Sequence, residues 1–261
     1  MNMLFDDPPF RDRRDAGRKL AAGLMHLKAD KPVVLALPRG GVPVAYEVAL
    51  ALDAPLDVLI VRKIGAPGHP ELGLGAVVDG AHPQRVLNDA VMQQVHASPE
   101  YIEAEQRRQL AEIERRRQLY CGDRPPVPLA GHTVIVVDDG IATGGTIKTA
   151  LMALSQADVK HLTFAVPVAP AEVVDDLQRD FPDGVCLHTP DFFRAVSLHY
   201  ADFAQTTDEE VVALLDSAAL RRLADNTVHD LGPDSELNAV PPDASRDRMS
   251  PDAGLPGGGR S

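Results

Sequence analysis

Cysteine patterns of the metal-binding or disulfide-framework kind are missing from this 261-residue chain, which has only Cys121 and Cys186. A reducing compartment, the cytoplasm, is therefore the expectation. Long apolar runs are missing as well. None approaches the ~20 residues needed to cross a bilayer, and the start, Met1-Asn-Met-Leu-Phe-Asp-Asp, lacks a charged-then-apolar leader pattern. No membrane partner is expected. Basic excess is absent too: 26 Lys and Arg face 38 Asp and Glu, a net charge of -12. That balance argues against general nucleic-acid binding, which needs a basic face. It leaves room for a small phosphate ligand, because the field inside a pocket can differ from the total. No internal repeat is visible. The hydrophobic content of 44% is ordinary for a globular domain, and the length allows one sizeable core with extensions.

Two familiar phosphate signatures also fail. A Walker A loop needs Gly, four residues, Gly, Lys and then Ser or Thr. Gly140 and Gly145 have that spacing, but Thr146 stands at the lysine position. The dinucleotide fingerprint begins at Gly73-Leu-Gly75 and breaks at Val78.

What is present is most concentrated between Val134 and Thr146. Val134 to Val137 are all β-branched and apolar, which reads as a strand buried on both faces. Such strands belong to parallel sheets, whose ligands sit beyond the carboxyl ends. Asp138 and Asp139 stand at that end, where two carboxylates can accept hydrogen bonds from sugar hydroxyls or hold a metal through water. Gly140, Ile141 and Ala142 lead into Thr143-Gly144-Gly145-Thr146, and a helical pattern starts near Thr146. The glycines uncover backbone amides, and the helix start adds its positive dipole end, so an anion is favoured there. A plain turn built on Asp-Gly would have no use for the whole series. A similar order occurs earlier. Pro32 to Leu37 reads as a short buried strand, Pro38-Arg39-Gly40-Gly41 follows, and a helix is expected from Pro43 to Leu52. Arg39 is either a surface arginine at a helix start or a guanidinium fork for phosphate.

The periodicity predicts helices over Asp12–Lys28, from Ser98-Pro99 to about Tyr120, and from a Thr207 cap to about Leu223. Strands are expected at Val33–Leu37, Val58–Val61, Ala76–Val78, Val134–Val137, Leu162–Val168 and Val185–Leu187. Strands alternating with helices give an α/β fold with a mostly parallel central sheet flanked by helices. The stretch from Arg62 to Glu71, rich in Gly and Pro, reads as a mobile loop. On the helix ending near Tyr120, the i,i+4 pairs Glu103/Arg107 and Glu112/Arg116, with Arg115 and Arg117, read as a solvated face. From about residue 224 the composition turns to Asp, Pro, Gly and Ser without apolar period, so 224–261 is expected to be a disordered tail behind a 1–223 domain.

The segment from Ile135 to Thr146 resembles the phosphoribosyl pyrophosphate (PRPP) motif of type I phosphoribosyltransferases, and residues from about Phe10 to about Leu223 resemble a bacterial branch of that family. The resemblance implies that Asp138 and Asp139 bind the ribose hydroxyls. It gives the 5-phosphate to the loop of Gly140, Ile141, Ala142, Thr143, Gly144, Gly145 and Thr146. It makes Arg39, Gly40 and Gly41 a pyrophosphate loop, and it gives Arg62 and Lys63 a role in offsetting the charge of the departing pyrophosphate from a flexible loop. His69 would reach the site if that loop closes. Mg²⁺ would travel mainly on the substrate, with no separate protein metal site. Asp138, Asp139 and Arg39 would be the first residues to mutate.

A small hood built from chain ends and insertions would hold a nucleobase-like acceptor. Phe192 or Phe193 could stack on it, although each also fits an ordinary core position. The hood has no motif to match residue by residue, so purine, pyrimidine and other heterocycles stay open, and a homodimer is among the states the resemblance allows. Some proteins of this fold bind PRPP or nucleotides only to sense them. A regulator acting on nucleic acid would need a basic surface or an added domain, and the acidic balance counts against that version.

Overall fold

A computed structural model describes residues 8–80 and 83–230 of the chain. The first half runs α1 (Arg13–Leu24), a 3-10 segment (Met25–Asp30), β1 (Val33–Ala36), α2 (Gly41–Leu52), β2 (Leu56–Val58), β3 (Val61–Ala66), β4 (His69–Val78), β5 (Gln84–Leu87), α3 (Asp89–Val95) and α4 (Pro99–Cys121). The second half runs β6 (Thr133–Val137), α5 (Gly145–Leu154), β7 (His161–Val168), α6 (Ala171–Asp180), β8 (Val185–His188), a 3-10 segment (Val196–His199) and α7 (Asp208–Asp230).

Five strands form an all-parallel sheet in the order β2-β1-β6-β7-β8. Their near-continuous apolar sequences follow from burial on both faces. Alternate residues part cleanly: Val34, Ala36, Ile135, Val137 and Ala165 join the core under α1 and α2, while Val33, Leu35, Val134, Val136, Phe164 and Val166 join the core under α5 and α6. The expected helix-flanked α/β sheet is therefore what the chain forms. The Asp12 side chain caps α1 by accepting from the Asp15 amide at 2.7 Å, and Ser98 caps α4 by accepting from Tyr101 at 3.2 Å.

The path from β1 through α2 leads to β2, on one side of β1. The path from β6 through α5 leads to β7, on the other side of β6. The strand order thus reverses between β1 and β6, and the loops leaving their carboxyl ends diverge around a crevice. In open α/β sheets this is where ligands bind.

Several expectations need correction. The stretch expected to be a loop is an antiparallel hairpin of β3 and β4, extended by β5 into a second sheet in the order β3-β4-β5. Pro67 and Gly68 form its turn, with Gly68 at φ 74°. The Gly and Pro content is the chemistry of one tight turn, flanked by Ile64, Leu74 and Val77 in the core. The single strand expected at Val58–Val61 is two, since β2 ends at Val58 and β3 begins at Val61. Ala76–Val78 is the end of the longer β4, and β5 and α3 had no counterpart in the periodicity. Helix α7 continues to Asp230, past its expected end near Leu223. The rest of the expected tail lies outside the described residues.

Arg117 also departs from its expected solvated face. Arg115 and Arg116 pair with Glu112, each at 2.8 Å. Arg117 turns inward from α4, bonding Asp57 of β2 at 2.9 Å and Asp79, just past β4, at 2.8 Å. This guanidinium clamps the antiparallel sheet to the edge of the parallel one. Burial pushes the Asp79 carboxyl up against the pull of Arg117, so its ionised form depends on that partner. Arg117→Met leaves two shielded carboxylates unpaired and is expected to lower unfolding free energy by about 3–5 kcal/mol in urea titrations. A loss below about 1 kcal/mol would show that the clamp does not hold the sheets together.

Candidate functional site

The crevice between β1 and β6 is built by two loops. Parallel register sets Ala36 opposite Val137, so residues 38–41 and 138–140 leave the sheet side by side. The Leu37 amide donates to the Val137 carbonyl at 2.9 Å and extends the pairing one residue beyond β1. Gly40 and Gly41 then run against the acidic pair. A Cβ at Gly40 would collide with the Asp139 carboxylate, and one at Gly41 would lie 2.8 Å from the Val137 carbonyl oxygen and 3.0 Å from the Asp138 Cα. Glycine is required here for close approach.

Each carboxylate of the pair has one oxygen engaged. Asp138 Oδ1 accepts the Asp139 amide at 2.8 Å, and Asp139 Oδ2 accepts Arg13 Nε at 2.7 Å. The two carboxyl side chains also meet each other in a hydrogen bond. Burial first, and the neighbouring Asp139 charge second, push the Asp138 carboxyl well above the ordinary range. Burial also raises Asp139, while Arg13 pulls it back. The two carboxyls therefore titrate as a pair.

The following loop is anchored and then opens. The amide of Ile141, a buried residue, donates to the Val168 carbonyl at 2.9 Å. Ala142, Thr143, Gly145 and Thr146 are exposed. Gly144, at φ 77°, precedes α5, whose first hydrogen bond runs from the Lys148 amide to the Gly144 carbonyl. Among the described residues, no protein acceptor takes the amides from Ala142 to Ile147. These amides lie at the amino end of α5, which starts one residue earlier than expected at Thr146, and a helix amino end of this kind can accept an anion.

Arg39 is half-exposed and lies 3.7 Å from Asp208 at the start of α7. Asp208 also accepts the Tyr120 hydroxyl at 2.7 Å. Burial, then Asp208, push the Tyr120 phenol up to about 12, so it remains a donor. The remaining expected residues lie on the hairpin. Arg62 Nε bonds Gln109 Oε1 of α4 at 3.0 Å, and Lys63 is exposed on the same strand. His69 is exposed beside the hairpin turn. The core reading of the phenylalanines holds for one only: Phe192 is 90% exposed, while Phe193 is partly buried and stacks on His199 at 5.6 Å.

The chain ends close one side of the crevice. Phe10 bridges Tyr200, and the amides of Ala201 and Asp202 donate to the carbonyls of Phe10 and Arg11. Val196 packs where a Cβ on Gly140 would sit. The Tyr200 hydroxyl donates to the Asp139 carbonyl at 2.5 Å. Burial, and then the Asp139 charge, raise this phenol, which keeps it protonated. Sequence reading missed Arg13 and the contact made by Tyr200. One signal was available: Arg13 and Arg14 open α1 where its dipole disfavours cations, by about 0.3–1 kcal/mol each. Such residues need carboxylate partners, and they have them in Asp139 and in Glu47, 2.6 Å from Arg14.

The sequence matches the phosphoribosyl transferase domain family over residues 11–202, and the chain belongs to that family. A Mycobacterium tuberculosis H37Rv protein, named provisionally as a phosphoribosyl transferase, is 47% identical over 209 residues, which make up 80% of this chain and 47% of that protein. Its counterpart in strain CDC 1551 gives the same figures. The chain thus spans about half the length of the curated relatives it matches. The crystal structure of TT1426 from Thermus thermophilus shares the fold with a TM-score of 0.70 at 44% identity, covering 79% of this chain and 97% of that one.

The packing at the crevice makes a matched pair of glycine substitutions informative. Gly41→Ala forces a Cβ into the β6 backbone and is expected to cost about 1–3 kcal/mol in urea unfolding. Gly145→Ala meets nothing within 4 Å and is expected to stay within about 0.5 kcal/mol of wild type. Equal effects would contradict the close approach of the two loops.

Proposed function

We propose that this chain is a phosphoribosyltransferase that moves the 5-phosphoribosyl group of PRPP to a nitrogenous base and releases pyrophosphate. The observation that carries the reading is the meeting of three groups at one switch point: the Arg39-Gly40-Gly41 loop, the acidic pair and the open amide cradle of residues 142–147. PRPP presents a pyrophosphate, a diol and a 5-phosphate in matching order. In this reading the carboxylate oxygens of Asp138 and Asp139 accept the ribose hydroxyls. The amides of Ala142 to Ile147, with the Thr143 and Thr146 hydroxyls, take the 5-phosphate, while Gly140 and Ile141 set the path between them. Arg39 faces the pyrophosphate. Exposed Lys63 is the second proposed cation, with Arg62 behind it on Gln109.

The anomeric C–O bond breaks, and its electron pair leaves on pyrophosphate. The lone pair of the base nitrogen forms the new C–N bond, and the displaced N–H proton passes to solvent. Side chains do little covalent work. They hold the phosphoribosyl group against the base, screen the leaving group and limit water. Among the described residues no three His, Cys, Asp or Glu side chains gather as a metal site. Mg²⁺ would be carried mainly by PRPP and would help neutralise the leaving group.

The test is pyrophosphate release from PRPP and Mg²⁺ across a panel of nucleobases, with calorimetric PRPP binding in parallel. Base-dependent release is the expected result and names the acceptor class. Binding without release for any base would instead favour a PRPP sensor. The double variant Asp138→Asn, Asp139→Asn is expected to weaken PRPP binding by at least about tenfold while the protein stays folded by circular dichroism. Unchanged affinity would sink the ribose assignment.

A further inference from the structure

We propose that Arg13 is a positioning residue for the ribose-binding carboxylate, holding Asp139 in place to accept from the sugar. This rests on the ribose reading of the acidic pair. The guanidinium is nearly buried, its side chain 11% exposed. It has three anchors. Nε donates to Asp139 Oδ2 at 2.7 Å, Nη1 donates to the Ala204 carbonyl at 2.6 Å, and the Phe203 ring lies 3.8 Å from the guanidinium carbon. Two of the three belong to the chain-end segment that closes the crevice. The same segment grips the backbone of Asp139 through the Tyr200 hydroxyl.

The consequence is geometric. Asp139 is the second residue past the end of β6, where sheet pairing no longer fixes it, and Gly40 opposite it has no side chain to brace it. Arg13 supplies the brace by holding Oδ2. The charged groups facing the carboxylate are Arg13 from α1 and Asp138 beside it, with the neutral Tyr200 phenol behind. Removing Arg13 therefore frees the carboxylate to rotate and leaves the paired negative charge without its cation. Arg39 itself pairs with Asp208 at the start of α7.

The experiment measures binding of PRPP, and of inorganic pyrophosphate as a ligand without a diol, to the whole protein. Arg13→Met is expected to weaken PRPP on the order of 10- to 100-fold while pyrophosphate stays within about twofold. Arg13→Lys restores part of the PRPP affinity. Phe203→Leu, which loosens the seat of the guanidinium and keeps its charge, produces a smaller loss in the same direction and serves if Arg13→Met fails to fold. In an Asp139→Asn background the effect of Arg13→Met should shrink to about twofold or less, because nothing remains to be positioned. Parallel losses for PRPP and pyrophosphate would mean a merely structural role and overturn the proposal. Tighter PRPP binding by Arg13→Met would also overturn it, since Arg13 would then compete with the sugar. If Asp139→Asn alone binds PRPP like wild type, the ribose reading fails and the proposal falls with it. If Asp139→Asn weakens PRPP and Arg13→Met does not, only the proposal falls.

Discussion

Parallel pairing of β1 with β6 is the constraint on which the site depends. These two strands are adjacent in the sheet but far apart in sequence, and their connections leave in opposite directions. Two loops are thereby forced through one narrow space above Ala36 and Val137. Only a loop without side chains can pass beneath the acidic pair, which explains Gly40 and Gly41 better than any need for unusual dihedrals. The closeness also means that whatever binds one loop is within reach of the other. A ligand spanning both must carry different chemistry at its two ends.

The charges at the site are sorted by depth. The acidic pair lies low, where burial raises both carboxyls and the pair resists holding two full charges without help. Arg13 offsets one of those charges from the side. The amides of the following loop and Arg39 lie further out, in the open. Hydroxyls suit the deep position because they donate to carboxylate oxygens without bringing charge of their own. Phosphates suit the outer positions, where amides and a guanidinium can meet them and solvent remains close. A bare nucleic-acid backbone would meet an acidic floor, which fits poorly with the net charge of -12.

Legibility in the sequence followed burial and locality. The runs around Val33–Ala36 and Thr133–Val137 were readable because strands buried on both faces show as continuous apolar stretches. The loops after them were readable because turn, glycine and helix start are contiguous. The β3–β4 hairpin was misread because its Gly and Pro residues do local work in one turn and in a bulged pairing at Gly65, while its core residues Ile64, Leu74 and Val77 are too few and too spread to show a period. Arg117 was misread for a related reason. The i,i+4 charge pattern of α4 is real, but a helix that long has more than one face, and the face carrying Arg117 meets Asp57 and Asp79 from distant parts of the chain. No local rule contains that information.

The chain-end enclosure is the extreme case of such distance. Phe10, Arg13, Tyr200 and Phe203 come together from positions far apart in the sequence. Yet the two arginines that open α1 already conflict with their helix, and a local conflict retained at a helix end implies compensation elsewhere. Arg14 finds its compensation in buried Glu47 of α2, which joins two helices. Arg13 finds its compensation in the site itself. Closure by the chain ends and the setting of Asp139 are therefore one event. The aromatic ring under the guanidinium and the carbonyl of Ala204 hold the same cation that holds the carboxylate. The segment around Phe203 reaches Asp139 twice, through the Arg13 side chain and through the Tyr200 hydroxyl.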